Sequence, residues 1–176
     1  MGWHDKSSMT IGNKFIGKSI AKKRVKKTAD FYYTSPEMVK ALLGWLDLNS
    51  GLSTLDAGSG RNKVWFKCLT SRRKFECEIE DGNDFYLWEK AVDWVVGNPP
   101  FSEGWRFLEK ASQVAKKGIA FLGNINFFSS LTPRRLQILK DNGFSLSRIR
   151  ITQDKRWFGR YYFIVFEKKP NKFIVW

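Results

Sequence analysis

The chain has 176 residues, 43% hydrophobic and 27% charged, with 31 Lys and Arg against 17 Asp and Glu for a net charge of +14. That mix fits a globular domain with a real core and excludes a disordered polyelectrolyte, and the basic excess disfavours cationic targets and points to a polyanion, nucleic acid first and acidic lipid second. Two cysteines (Cys68 and Cys77) and one histidine (His4) argue against a disulfide framework, a His-rich metal site and Ser-His or Cys-His nucleophilic catalysis.

Residues 1–29 read as a basic N-terminal arm, and 30–176 as a single folded domain. Lys22, Lys23, Arg24, Lys26 and Lys27 crowd the end of the arm, with no acid between Lys14 and Lys27. Such a run is either a solvated tail or a segment that binds a phosphate backbone. No apolar run approaches the roughly 18 residues of a membrane span, and the first ten residues lack the apolar centre of a secretory signal. A cytoplasmic, reducing location is the expectation.

The first element is a helix over TSPEMVKALLGWLDL (34–48), with Thr34 or Ser35 as cap, Pro36 in the first turn and Glu37 complementing the dipole. It should end near Asn49-Ser50-Gly51. A strand follows in STLDAGSG (53–60), then a helix in KVWFKCLTS (63–71). KFECEIE (74–80) alternates Phe75, Cys77 and Ile79 with Glu76, Glu78 and Glu80, the period of a strand. DGNDFYLWEKAV (81–92) is short and irregular. DWVVGN (93–98) is a strand, SEGWRFLEKASQVAKK (102–117) a helix and GIAFLGNI (118–125) a strand. Thr132 caps a further helix that opens on Pro133 and closes before Gly143. Strands FSLSRIRI (144–151) and RYYFIVFEK (160–168) complete the chain.

Strands alternating with helices imply an α/β architecture, a mostly parallel twisted sheet with helices on both faces. The last two strands are joined by only TQDKRWFG (152–159). That is too short for a right-handed crossover, so the last strand should be antiparallel.

Ligands of such sheets bind beyond the carboxyl ends of the strands. In LDAGSG, Gly58 and Gly60 permit a tight turn and close backbone approach, but the dinucleotide fingerprint would require a glycine where Lys63 stands. Asp56 would repel a pyrophosphate and attract a cationic group. At the next strand end a carboxylate can accept from ribose hydroxyls, with Glu78 the first choice, and Asp84-Phe85 can meet an adenine ring. The plain alternatives are a strand-to-helix turn and a solvated acidic run. The third strand ends in Asn98-Pro99-Pro100-Phe101: an amide, a rigid turn and a ring.

Taken together, LDAGSG, the acid-tipped strand, GNDF and DWVVGNPPF resemble the Rossmann-like class I S-adenosylmethionine-dependent methyltransferases, specifically the amino-methyltransferases with an Asn/Asp-Pro-Pro-Tyr/Phe motif, chiefly DNA adenine-N6 enzymes. DFYYTSPEMVKALL is similar to that family's N-terminal cofactor motif. The resemblance spans about residues 30–168. It implies S-adenosylmethionine as cofactor, held by Tyr33, Thr34, Asp56, Gly58, Gly60, Glu78, Asp84, Phe85 and Asn98, and a catalytic pocket of Asn98, Pro99, Pro100 and Phe101. Its implied substrate is the N6 amino group of adenine in DNA.

Two departures matter. Between Glu78 and Asp84 there is no room for the family's usual helix and strand, so its third strand should be vestigial. No insert is large enough for a target-recognition domain, so low sequence specificity is expected, with DNA contacted by the arm and by Arg134, Arg135, Arg156 and Arg160, or through a protein partner. Aromatics and arginines interleave over residues 157–161, as on a nucleic-acid-facing hairpin or in plain edge packing. RNA methylation at adenine N6 or guanine N2 is the first alternative, and a non-catalytic nucleic-acid-binding subunit the second. Glutamine methylation in proteins is disfavoured by the net charge.

Overall fold

A computed structural model describes residues 33–156, 159–168 and, as backbone, 174–175. The arm, with Lys22 to Lys27, and the 29/30 boundary lie outside the described residues. The elements run α1 (Pro36–Leu46), β1 (Ser53–Ala57), α2 (Val64–Cys68), β2 (Arg73–Cys77), β3 (Val92–Gly97), α3 (Gly104–Val114), β4 (Ala115–Asn124), α4 (Ile125–Ser129), α5 (Pro133–Asp141), β5 (Phe144–Thr152), β6 (Tyr161–Lys168) and β7 (Ile174–Val175).

Local chemistry explains the first helix. Ser35 Oγ accepts from Met38 N at 3.3 Å, Pro36 opens the helix, and Val39, Leu42 and Leu46 form its buried stripe. It stops at Asp47, in the left-handed conformation with φ +54, whose N–H reaches Leu43 O. The end therefore falls before Asn49, which instead accepts from Gly51 N and shapes the following turn.

The strands form one sheet in the order β2-β1-β3-β4-β6-β5-β7. β2, β1, β3 and β4 are mutually parallel. β6 enters between β4 and β5 and is antiparallel to both, as the short 152–159 connection requires. β2 passes to β3 through two single 3-10 turns, Ile79–Asp81 and Phe85–Leu87, with no intervening strand. β2 is therefore an outer strand of the sheet.

Alternation along the central strands feeds two cores. Val95, Ile119, Phe121, Ile164 and Phe166 face α3 and α5, where they meet Phe107, Leu108 and Leu139. Trp94, Val96, Ala120, Leu122, Phe163 and Val165 face α1 and α2, where they meet Val39, Leu42 and Trp65.

The boundaries around β4 also differ from expectation. α3 ends at Val114, and β4 begins at Ala115, whose extended backbone (φ −79, ψ 135) closes the helix without a glycine signal. Lys116 and Lys117 are exposed strand residues, and Lys117 Nζ lies 3.5 Å from Asp93 Oδ1. Ile125 leaves the strand to start α4, because Asn124 Oδ1 accepts from Phe127 N and caps a five-residue helix. β7 pairs in parallel with Arg148 and Ile149 of β5.

Candidate active site

The carboxyl ends of β1, β2 and β3 converge, and Gly97 is what lets two of them touch. It ends β3 at φ +148, and a Cβ placed there would lie 2.8 Å from Ala57 O and 3.2 Å from Asp56 Oδ1. The quartet Asn98 to Phe101 leaves β3 from this contact, so it starts against the Asp56–Gly60 turn. Asn98 is half-buried and Pro99 buried. Pro100 O accepts from Glu103 N at 2.8 Å, closing a 3-10 turn over Phe101–Glu103, and the Phe101 ring packs on Tyr161 at 5.9 Å between centroids.

The turn itself needs its glycines. Gly58 and Gly60 stand at φ +74 and +66, where a side chain is strained. Ser59 N donates to Cys77 O at 2.8 Å, and Gly60 N to Glu78 Oε2 at 2.7 Å, which fixes the turn to the end of β2. β2 stops at Cys77, one residue short of Glu78, and Glu78 caps the turn that follows by accepting from Glu80 N. Glu78 and Glu80 thus no longer share a strand face. Glu78 is buried at the turn, while Glu80 reaches outward to Arg61 Nε at 2.7 Å.

Asp56 is wholly buried. Its Oδ2 accepts from Phe66 N at 2.9 Å, and its Oδ1 has no hydrogen-bond partner. Burial pushes its carboxyl up to about 8 against the opposing Phe66 hydrogen bond, with Glu76 and Glu78 adding to the rise.

Tyr33 and Thr34 complete one side. A Cβ on Gly60 would meet the Tyr33 ring at 3.5 Å, so this exposed ring stands over the turn. Thr34 is buried, and its hydroxyl accepts from Trp65 Nε1 at 3.3 Å. On the other side Asp84 Oδ1 accepts from Tyr86 N, presenting the Phe85–Leu87 turn. An open cavity of about 310 Å³ lies there, lined by Asp84, Leu87 and Trp88 among others.

Phe107 of α3 was not among the residues read from sequence. Its ring lies 3.2 Å from where a Gly58 Cβ would be, and packs on Phe85 at 5.2 Å and Tyr86 at 5.3 Å. It joins the glycine turn to the Asp84-Phe85 segment from beneath. No local signal in the sequence ties Phe107 to Gly58, 49 positions earlier.

The basic residues are dispersed. Arg134 and Arg160 are exposed. Arg135 donates to Ser130 O at 2.8 Å and lies over the Trp105 ring at 5.0 Å. Arg156 forks onto buried Asp154, with Nε to Oδ1 at 2.9 Å. Residues 157 and 158 lie outside the described residues. Among the described residues no His, Cys, Asp and Glu cluster could hold a metal, and no helix is long and apolar enough to cross a membrane.

No family model matches the sequence, and no curated protein matches it. Solved structures do share its fold. Magnesium protoporphyrin IX methyltransferase from Synechocystis PCC 6803, solved with bound SAH, aligns over 76% of this chain and 83% of its own at TM-score 0.56 and 17% identity, and a second structure of it holds SAM. A protein from Pyrococcus horikoshii, described as a candidate RNA methyltransferase, aligns over 81% of this chain and 89% of its own at TM-score 0.58 and 16% identity. The modification subunit of a candidate type I restriction enzyme from Vibrio vulnificus YJ016 aligns over 82% of this chain and 46% of its own at TM-score 0.57 and 13% identity. The chain has the Rossmann-like fold of class I S-adenosylmethionine-dependent methyltransferases.

Proposed function

We propose that the protein transfers a methyl group from S-adenosylmethionine to the exocyclic N6 amino group of adenine in DNA, with little sequence specificity. One observation carries this reading: an Asn-Pro-Pro-Phe quartet leaves β3 directly against the positive-φ glycine turn that ends β1.

The residues present fit this cofactor. A glycine turn allows close backbone approach, Glu78 stands at the tip of the neighbouring strand, and Asp56 keeps a buried oxygen without a partner beside Gly97. In this reading the Asp56–Gly60 turn, with Tyr33 and Thr34, holds the methionine part. Glu78 accepts from the ribose hydroxyls while still holding Gly60 N–H, since a carboxylate offers about four acceptor positions. Asp84 and Phe85 take the adenine. When bound, S-adenosylmethionine supplies an electrophilic methyl group on a positively charged sulfur.

The exocyclic amine of a base is a weak nucleophile because its lone pair is delocalised into the ring. Asn98 Oδ1 and the Pro99 carbonyl accept its two hydrogens, which favours a pyramidal nitrogen and stabilises the positive charge that develops there. Pro99 and Pro100 hold the turn rigid, so little reorganisation is needed at the moment of reaction. Phe101, braced by Tyr161, offers a face for a base taken out of its stack. No side chain has to remove a proton before transfer, because the methylated ammonium is acidic and loses its proton afterwards. Positioning and electrostatics carry the catalysis.

The test is incubation with S-adenosylmethionine labelled in its methyl group and double-stranded DNA, single-stranded DNA or RNA, followed by nucleoside mass spectrometry. Label in N6-methyladenine from DNA is the expected result, and label spread over many sequence contexts supports low specificity. Label in RNA alone would favour an RNA methyltransferase. Cofactor binding with no label in any polymer would favour a non-catalytic nucleic-acid-binding subunit.

A further inference from the structure

We infer that Lys63 is a positioning residue of the cofactor turn, clamping it through side-chain charge onto the acids at the end of β2 and in the turn after it; the cofactor part of this inference rests on the function proposed above. Lys63 stands at the head of α2 in the left-handed conformation, φ +49, where glycine would be the unstrained choice. Its ammonium bridges two carboxylates, Glu76 Oε1 at 2.7 Å and Asp81 Oδ2 at 2.9 Å. Glu76 uses its other oxygen to accept from Ser59 Oγ at 2.7 Å, between the two glycines.

The bridge therefore runs Asp81–Lys63–Glu76–Ser59. Two rungs stand beside it, Gly60 N to Glu78 and Arg61 to Glu80. Residues 59, 60, 61 and 63 each grip an acid within 76–81, over a stretch that joins the outer strand β2 to β3 with no helix or further strand. Side-chain contacts hold the outer wall of the turn where secondary structure does not. Loss of the ammonium leaves Glu76 facing Glu78, Asp81 and the buried Asp56 without a cation, and frees Ser59 and then Gly60 to move.

Lys63→Gly removes the strained φ and the clamp together, and Lys63→Arg keeps a cation within reach of both acids. Two quantities are measured on the full chain: SAH affinity by calorimetry, and amide exchange at Gly60 without ligand. The expected result for Lys63→Gly is a melting temperature at or above that of the parent, SAH affinity weakened about fivefold, the upper range for a partly exposed ion-pair network, and faster exchange at Gly60. Lys63→Arg should restore both readouts. Equal Gly60 exchange in Lys63→Gly and the parent would overturn the inference, as would equal SAH affinity. If the parent itself binds no SAH, the cofactor reading fails, and Gly60 exchange still decides whether Lys63 orders the turn. If Lys63→Gly fails to fold, the strain argument is wrong, and Asp81→Asn, on a half-exposed side chain, then has to reproduce the faster Gly60 exchange for the clamp to stand.

Discussion

The two sides of the sheet carry opposite charge balances. Residues 33–103, which build β1, β2, β3 and their turns, hold eleven acids and eight bases, whereas residues 104–168, from α3 to β6, hold four acids and thirteen bases. On the first side several charges answer one another at short range: Lys63 with Glu76 and Asp81, Arg61 with Glu80, Asp93 with Lys117. On the second side Arg134 and Arg160 face solvent. In the function proposed above, the internally paired side takes the cofactor and the unbalanced side draws the polyanion. The Asn98–Phe101 quartet lies on the seam between the two.

The largest expected effect tests whether the first side is built as one unit. Phe107→Ala removes the ring beneath both Gly58 and Phe85, and should cost about 3–5 kcal/mol by chemical denaturation. The same variant should bind SAH more weakly even where it is folded. Normal SAH affinity in folded Phe107→Ala would separate the turn from the Asp84-Phe85 segment.

Next comes the seam. Asn98→Ala should lower methyl transfer by about 10²–10³, the usual loss for one preorganised polar contact in a transition state, with SAH affinity within twofold of the parent. A parallel loss of SAH binding would move Asn98 from the acceptor side to the cofactor side.

A smaller effect concerns pH. Asp56 has a carboxyl near 8 when folded against an ordinary 3.8, so the folded state keeps a proton that the unfolded chain has lost. Its contribution is most favourable below about 4, declines as pH rises toward about 8, and is level beyond that. Asp56→Asn should flatten this decline in urea-denaturation free energies measured from pH 5 to 8. An unchanged slope would show that the buried carboxyl is ionised.

The smallest effect probes the basic side. Arg160→Ala should weaken DNA binding equally across sequences and lower the salt slope by about 1. Arg156→Ala should change that slope less, because Asp154 already neutralises its charge. Equal losses would mean that DNA draws Arg156 away from Asp154.

Much of this was legible in the sequence, because its signals were local. Ser35-Pro36-Glu37 announced α1, the Val95-Val96 run announced β3, and the short 152–159 connection announced an antiparallel β6. The glycine turn and the quartet were readable because backbone freedom and rigidity belong to single residues. What escaped depends on partners far along the chain. Glu76 looks like Glu78 in a list of alternating acids, and only the end of β2 at Cys77 separates the residue that holds Ser59 from the one that holds Gly60. Phe107 and Gly58 are 49 positions apart. Nothing in QDKR says that Asp154 is buried and holds Arg156. The start of β4 at Ala115 carries no glycine or proline to mark it.

The central claim is that the quartet presents an amino nitrogen of a nucleic-acid base to a methyl donor held by the neighbouring turn. The most direct test compares the parent with Asn98→Ala, both saturated with methyl-labelled S-adenosylmethionine, on adenine-containing DNA and on the same DNA with adenine replaced by purine, which lacks the N6 amine. Label in N6-methyladenine that requires both Asn98 and the amine is the expected result. Equal labelling of the two DNAs, or equal labelling by the variant, would contradict the account.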